Sequence, residues 1–146
     1  MFLSSSEISS RLVSDLRLGL PIILYDAKTY FLTAAIETLY SEKLDKIMEI
    51  AKNQNFEIAI TNRRAKVLNV RIYNESVTRI SIREKVSIQL LQAIADPSKD
   101  LDYPLKGPFQ SERNGKFDVA SVSLSLCKRA RLLPASIIVN IPKSIR

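Results

Sequence analysis

The chain reads as an α+β domain, a mixed α/β sheet with helices packed on it. Three observations predict this class. Apolar residues recur at helical spacing in some segments, and short apolar or alternating runs mark strands in others. Helices and strands do not alternate in strict βαβ order. The length of 146 residues suits one core and one domain.

The elements follow in order. Ser4-x-x-Glu7 is a capping box opening a helix with Ile8, Leu12 and Leu16 on one stripe. Gly19 stands where a left-handed cap ends that helix, with Pro21 behind it. Ile22 to Tyr25 predicts a buried strand. A tight turn at Asp26-Ala27-Lys28 and a second strand from Tyr30 to Ala35 complete a hairpin. Ser41 caps the next predicted helix, with Leu44, Ile47, Met48 and Ala51 inward and a charged outer face. Phe56 to Thr61 predicts a strand, and Asn62 caps a short helix through Leu68 with Ala65 and Leu68 inward. The stretch from Val70 to Ile82 reads as strand, turn and strand. Val86, Leu90, Ala93 and Ile94 mark a helix ended by Asp96-Pro97. A long loop runs from Pro97 to Gly115. The last helix carries Val119, Val122, Leu126 and Ala130 and stops before Pro134, with Leu126 and Leu133 packing inward near its end. Ala135 to Ile141 forms the final strand.

Composition excludes several kinds of chemistry. The chain has no histidine, so no Ser-His or Cys-His dyad can form. Its single cysteine, Cys127, makes no internal disulfide and no thiolate cluster, and reads as core. The three glycines are Gly19, Gly107 and Gly115, too scattered for a phosphate loop or a dinucleotide fingerprint. No apolar run approaches the ~20 residues of a membrane span. The N-terminus lacks the basic and apolar regions of a signal peptide, and the free cysteine fits a cytoplasmic setting.

The net charge of +7 raises the question of nucleic acid. The densest basic clusters are Arg63-Arg64 with Lys66 and Lys128-Arg129 with Arg131. Both sit at predicted helix ends, where cations offset the macrodipole. Tyr30, Phe31 and Phe56 fall in strands that read as buried, which argues against a stacking surface for bases. Asp100 and Asp102 read as a solvated loop pair rather than an acid–base couple.

Three stretches carry a resemblance: Gly19 to Asp26, Ala93 to Leu101 with Pro104 to Phe109, and Leu126 to Val139. In order and spacing they resemble the N-terminal domain that precedes the catalytic domain of some bacterial GTP cyclohydrolase II proteins. That domain is similar to 3,4-dihydroxy-2-butanone 4-phosphate synthase of riboflavin biosynthesis. The resemblance implies a synthase-like domain over residues 1–141, with 142–146 as a linker or cut end.

It also implies where the synthase chemistry would stand. The family's acidic loop, which supplies a magnesium ligand, would follow the first strand. Here Asp26 matches its start, and Ala27-Lys28-Thr29 leads straight into the next strand. Ala35 to Thr38 resembles the region beyond that loop. Matching backwards from Pro134 places Val119 at the family's metal-binding histidine and Ser121 at its glutamate. The expectation is a degenerate domain with no catalytic residue, metal or cofactor, and with Val119 filling the former pocket as core. The cyclohydrolase zinc needs three cysteines, and one is present. Partners implied are a second copy, as a homodimer, and a GTP cyclohydrolase II catalytic domain; a truncated remnant fits equally. Two alternatives stand beside this reading. One is a residual phosphate- or nucleotide-binding or enzymatic domain using Lys106, Arg113, Lys128 and Arg131, and the other is a small basic RNA-binding module.

Overall fold

The computed structural model describes residues 4–26, 28–52, 56–83, 86–104, 107–115 and 117–142. Ala27, Lys106 and the end of the predicted linker, 143–146, lie outside them.

Six strands form one sheet in the order β1-β2-β6-β3-β4-β5, and every described pairing is antiparallel. The strands are β1 Ile22–Asp26, β2 Thr29–Ala35, β3 Phe56–Thr61, β4 Val77–Ile82, β5 Gln110–Ser111 and β6 Ala135–Asn140. The helices are α1 Ser5–Arg17, α2 Ser41–Ala51, α3 Asn62–Val67, α4 Ile88–Ala95 and α5 Asp118–Arg129. The last strand enters the centre of the sheet, between β2 and β3.

Period-two alternation sorts side chains to two faces. On one face, Leu32, Ile58, Ile80 and Ile137 pack against Leu44 and Ile47 of α2, Ala65 of α3 and Leu91 and Ile94 of α4. On the other, Ala59, Val77 and Ile138 meet Val119, Ala120 and Leu124 of α5. Leu16 of α1 joins Ile22, Ala35, Leu126 and Cys127 there. A buried hydroxyl chain ties α5 to the sheet. Ser123 Oγ donates to Ser136 Oγ at 2.6 Å and lies 2.8 Å from Thr33 Oγ1, which donates to the Ile137 carbonyl.

The caps follow local chemistry. Ser4 Oγ accepts from the Glu7 N–H, as the capping box predicts. Gly19 takes φ +76°, and a Cβ there would lie 2.5 Å from the Thr38 carbonyl oxygen, so only glycine closes this turn. Two predicted caps shift by one residue. Tyr40 precedes α2 without a side-chain cap bond, and Thr61, not Asn62, accepts from the Arg64 N–H.

Other expectations change with tertiary context. β1 is an edge strand, so Ile23 and Tyr25 are exposed rather than buried. Tyr30 is exposed as well, while Phe56 is buried. Only the second half of the predicted strand, turn and strand pairs into the sheet, as β4. The long loop contains the short strand β5 and a 3-10 turn at Pro97–Lys99. Leu91, not Leu90, is the buried leucine of α4, and Val122 faces solvent. Leu126 is buried as expected, whereas Leu133 is half-buried.

Candidate functional site

A cavity of about 470 Å³ opens on the α5 face of the sheet, within the size range of small-ligand pockets. The strands build it by alternation: Phe31, Glu57, Arg79, Ser81 and Ile138 point to the same side. Asp26 and Thr29, paired across the β1–β2 hairpin, stand at one end, with Glu112 after β5 at another. The first turn of α5 closes it with Val119 and Ala120.

Arg79 dominates the wall. It is 7% exposed, and its Nη1 donates to Glu57 Oε2 at 2.8 Å. Its Nη2 donates to the Asn114 carbonyl, and the guanidinium lies 4.3 Å from the centre of the Phe117 ring. Gly115, at φ +92°, covers it closely, since a Cβ there would stand 3.3 Å from Arg79 Nη2. One donor stays unsatisfied: among the described residues, the buried Arg79 Nε has no hydrogen-bond partner. Burial pushes the Glu57 carboxyl above its ordinary value; Arg79 offsets part of that rise, and the nearby Glu112 charge adds to it.

The residues matched through the resemblance divide between two places. Asp26 and Val119 face the same cavity. Val119 is buried against Ala59 and Leu124 as a core residue, and it also lines the cavity. Ser121 instead borders a shallower depression with Phe117, Asp118 and Arg113. Arg113 lies there 5.9 Å from the centre of the Tyr73 ring. Lys128 and Arg131 are exposed at the other end of α5, about 15 Å along the helix from its first turn. Arg131 takes φ +60° beyond the helix, so it does not share a helical face with Lys128. The four basic candidates are therefore not gathered: Arg113 is separated from Lys128 and Arg131, and Lys106 is outside the described residues.

Two readings of charged residues change. Arg64, expected as a helix-end cation, also makes a buried contact. It is 8% exposed and forms a bidentate pair with Asp100 at 2.7 and 2.8 Å, while also donating to the Ile94 and Ala93 carbonyls. Asp100 is thereby a structural anchor for the segment after α4. Cys127 is buried, and its thiol is pushed up to about 12, mainly by burial.

Sequence reading missed Arg79 and Glu57. The signal was present: each is a charged residue at an inward position of an alternating strand, and β3–β4 pairing brings their sides of the sheet together.

The magnesium site of the family that the chain resembles would lack its histidine here, since Val119 is aliphatic. Among the described residues no three metal-ligating side chains cluster. The cavity's carboxylates sit on separate elements, and one of them is held by Arg79.

An antiparallel sheet covered by helices on both faces, with a cavity beneath the start of α5, defines a synthase-like α+β fold. Solved structures carry the same fold. RibBX, a two-domain 3,4-dihydroxy-2-butanone 4-phosphate synthase from A. baumannii, is 21% identical with a TM-score of 0.69 over 94% of this chain and 48% of its own. The synthase of Candida albicans is 15% identical, also at 0.69, over 93% of this chain and 80% of that one. A synthase solved with two magnesium ions is 14% identical at 0.61, over 90% of this chain and 74% of that one. The chain thus spans about half of the two-domain protein. No family model and no curated protein matches this chain. Among the described residues, no helix is long and apolar enough to cross a membrane.

Proposed function

We propose that this chain is a non-catalytic synthase-like domain of riboflavin biosynthesis, acting as a homodimeric structural or regulatory unit for a GTP cyclohydrolase II catalytic domain. The observation that carries this reading is the wall of the cavity. Val119 stands where the resemblance puts a metal-binding histidine, and the β1–β2 turn from Asp26 to Thr29 stands where it puts an acidic loop. Abstraction of a proton beside a carbonyl needs a positioned base, and an aliphatic side chain supplies none. The two-domain architecture of RibBX supports a role beside a second domain.

The test is direct. Pure protein is incubated with ribulose 5-phosphate and magnesium, and separately with GTP and zinc, and formate and pyrophosphate are assayed. No turnover is expected. Turnover that scales with protein and disappears in Asp26→Ala would overturn the non-catalytic reading. Sedimentation should give twice 16.5 kDa; a species of 16.5 kDa alone at micromolar concentration would remove the homodimer.

A further inference from the structure

We infer that this chain pairs with a second copy of itself through its edge strand, β1 against β1 in antiparallel order, so that two six-stranded sheets become one. The inference rests on the homodimer of the preceding reading and names the surface that holds it.

The two edges of the sheet differ. An open edge offers a row of N–H and C=O groups to another strand, and proteins blunt it with short strands, bulges, prolines or lysines. At one edge, β5 is two residues long and offers little. At the other, β1 runs five residues, Ile22–Asp26, in unbroken register with β2. From Ile22 to Tyr25 it carries no charge and no proline. Pro21 precedes this run and the hairpin turn follows it, so both bound the edge without interrupting it.

The side chains of this edge are apolar and uncovered. Ile23 and Tyr25 share one side of β1 and are 59% and 60% exposed. The exposed Tyr30 ring of β2 lies 4.7 Å from that of Tyr25. Leu18 and Leu20, in the turn leading into β1, are exposed as well. Together these five side chains leave roughly 500 Å² of mostly apolar surface in water. A standard interface buries about 800 Å² per partner, and the strand backbone with its flanks supplies the remainder.

An identical copy fits this edge. Antiparallel pairing about a two-fold axis is self-complementary, since the same groups face each other on both sides. With the axis at Leu24, the midpoint of the strand, Ile23 of each copy faces Tyr25 of the other. Asp26 then faces Ile22 rather than a second carboxylate. From Leu18 to Asp26 there is no Lys or Arg, although the chain carries 22, so this stretch lacks the cations that would repel a second copy. The pairing uses up both long edges, which stops assembly at two.

Sedimentation of the full chain is compared with that of the double variant Ile23→Lys/Tyr25→Lys and of Leu101→Lys. The double variant sets two ammonium groups from each copy about the axis, and should raise the dissociation constant of the dimer on the order of a hundredfold or more. Leu101→Lys, in the loop after α4 and 94% exposed, should leave it unchanged. Amide hydrogen exchange of the unmodified chain needs no variant and decides the matter if the double variant does not fold. The β1 amides should exchange more slowly above the dissociation constant than below it, and the β5 amides equally at both. A dimer that survives the double variant, a dimer broken by Leu101→Lys instead, or β1 exchange that ignores concentration would overturn the inference and leave the homodimer standing. A monomer alone would remove the homodimer and this surface with it, whereas turnover of ribulose 5-phosphate would defeat only the non-catalytic reading.

Discussion

Two buried arginines lie on opposite faces of one sheet, and they are finished differently. Arg64, at the start of α3, spends its guanidinium on four bonds: two to the Asp100 carboxylate and two to the carbonyls of Ile94 and Ala93. Arg79, in β4, has one carboxylate contact with Glu57, one carbonyl, an aromatic ring and an unpaired Nε. Their exposures are nearly the same, 8% and 7%. Burial alone therefore does not separate an arginine in a closed contact from one in a cavity wall. Completeness of its hydrogen bonding does. A completed fork stabilises a fixed contact between α3, the end of α4 and the segment that follows. An incomplete one leaves a buried donor without a partner among the described residues, which weakens the contact it makes.

The largest expected effect breaks the finished site. Arg64→Ala should cost about 3–5 kcal/mol, because it removes four hydrogen bonds of a buried ion pair and leaves the two carbonyls without their donor. Urea unfolding measures it. Arg64→Lys should recover only a minor part, since an ammonium cannot reproduce the planar fork. If Arg64→Ala left the unfolding midpoint in place, the clamp would not be structural.

Arg79→Ala should cost less, about 1–3 kcal/mol, because the Glu57 it leaves behind borders an open cavity and can take water. A loss equal to that of Arg64→Ala would erase the distinction between the two sites.

The smallest effect is a titration. Glu57 should titrate above its ordinary value of 4.5, because burial outweighs its contact with Arg79. A carboxyl whose folded-state value is raised binds its proton more strongly when folded. Its contribution to stability is then full below about pH 4.5 and is lost as pH rises through the raised value. Carbon-13 resonances of the carboxyl report the midpoint directly. Glu112→Gln should move it down, since it removes a neighbouring negative charge. A midpoint at or below 4.5 would mean that the contact with Arg79 outweighs burial.

Local chemistry was legible in the residues. The capping box at Ser4 and Glu7, the left-handed turn at Gly19, the β1–β2 hairpin and the helix that ends before Pro134 depend on neighbours within a few positions, and sequence spacing reports those. The α+β class follows from the same signals. What lies far apart in the chain was decided only by tertiary structure. The final strand enters the middle of the sheet, which leaves β1 at the edge and exposes Ile23 and Tyr25. Helix α3 and the loop after α4 meet only in space, so Asp100 reaches Arg64 across 36 positions, where sequence reading found a solvated pair of aspartates. Pairing of β3 with β4 places Glu57 beside Arg79, and the first turn of α5 sets Val119 on the same cavity. Periodicity tells which face of its own element a residue occupies. Which other elements cover that face depends on how the layers pack, and that packing decided which charges became anchors and which came to line a site.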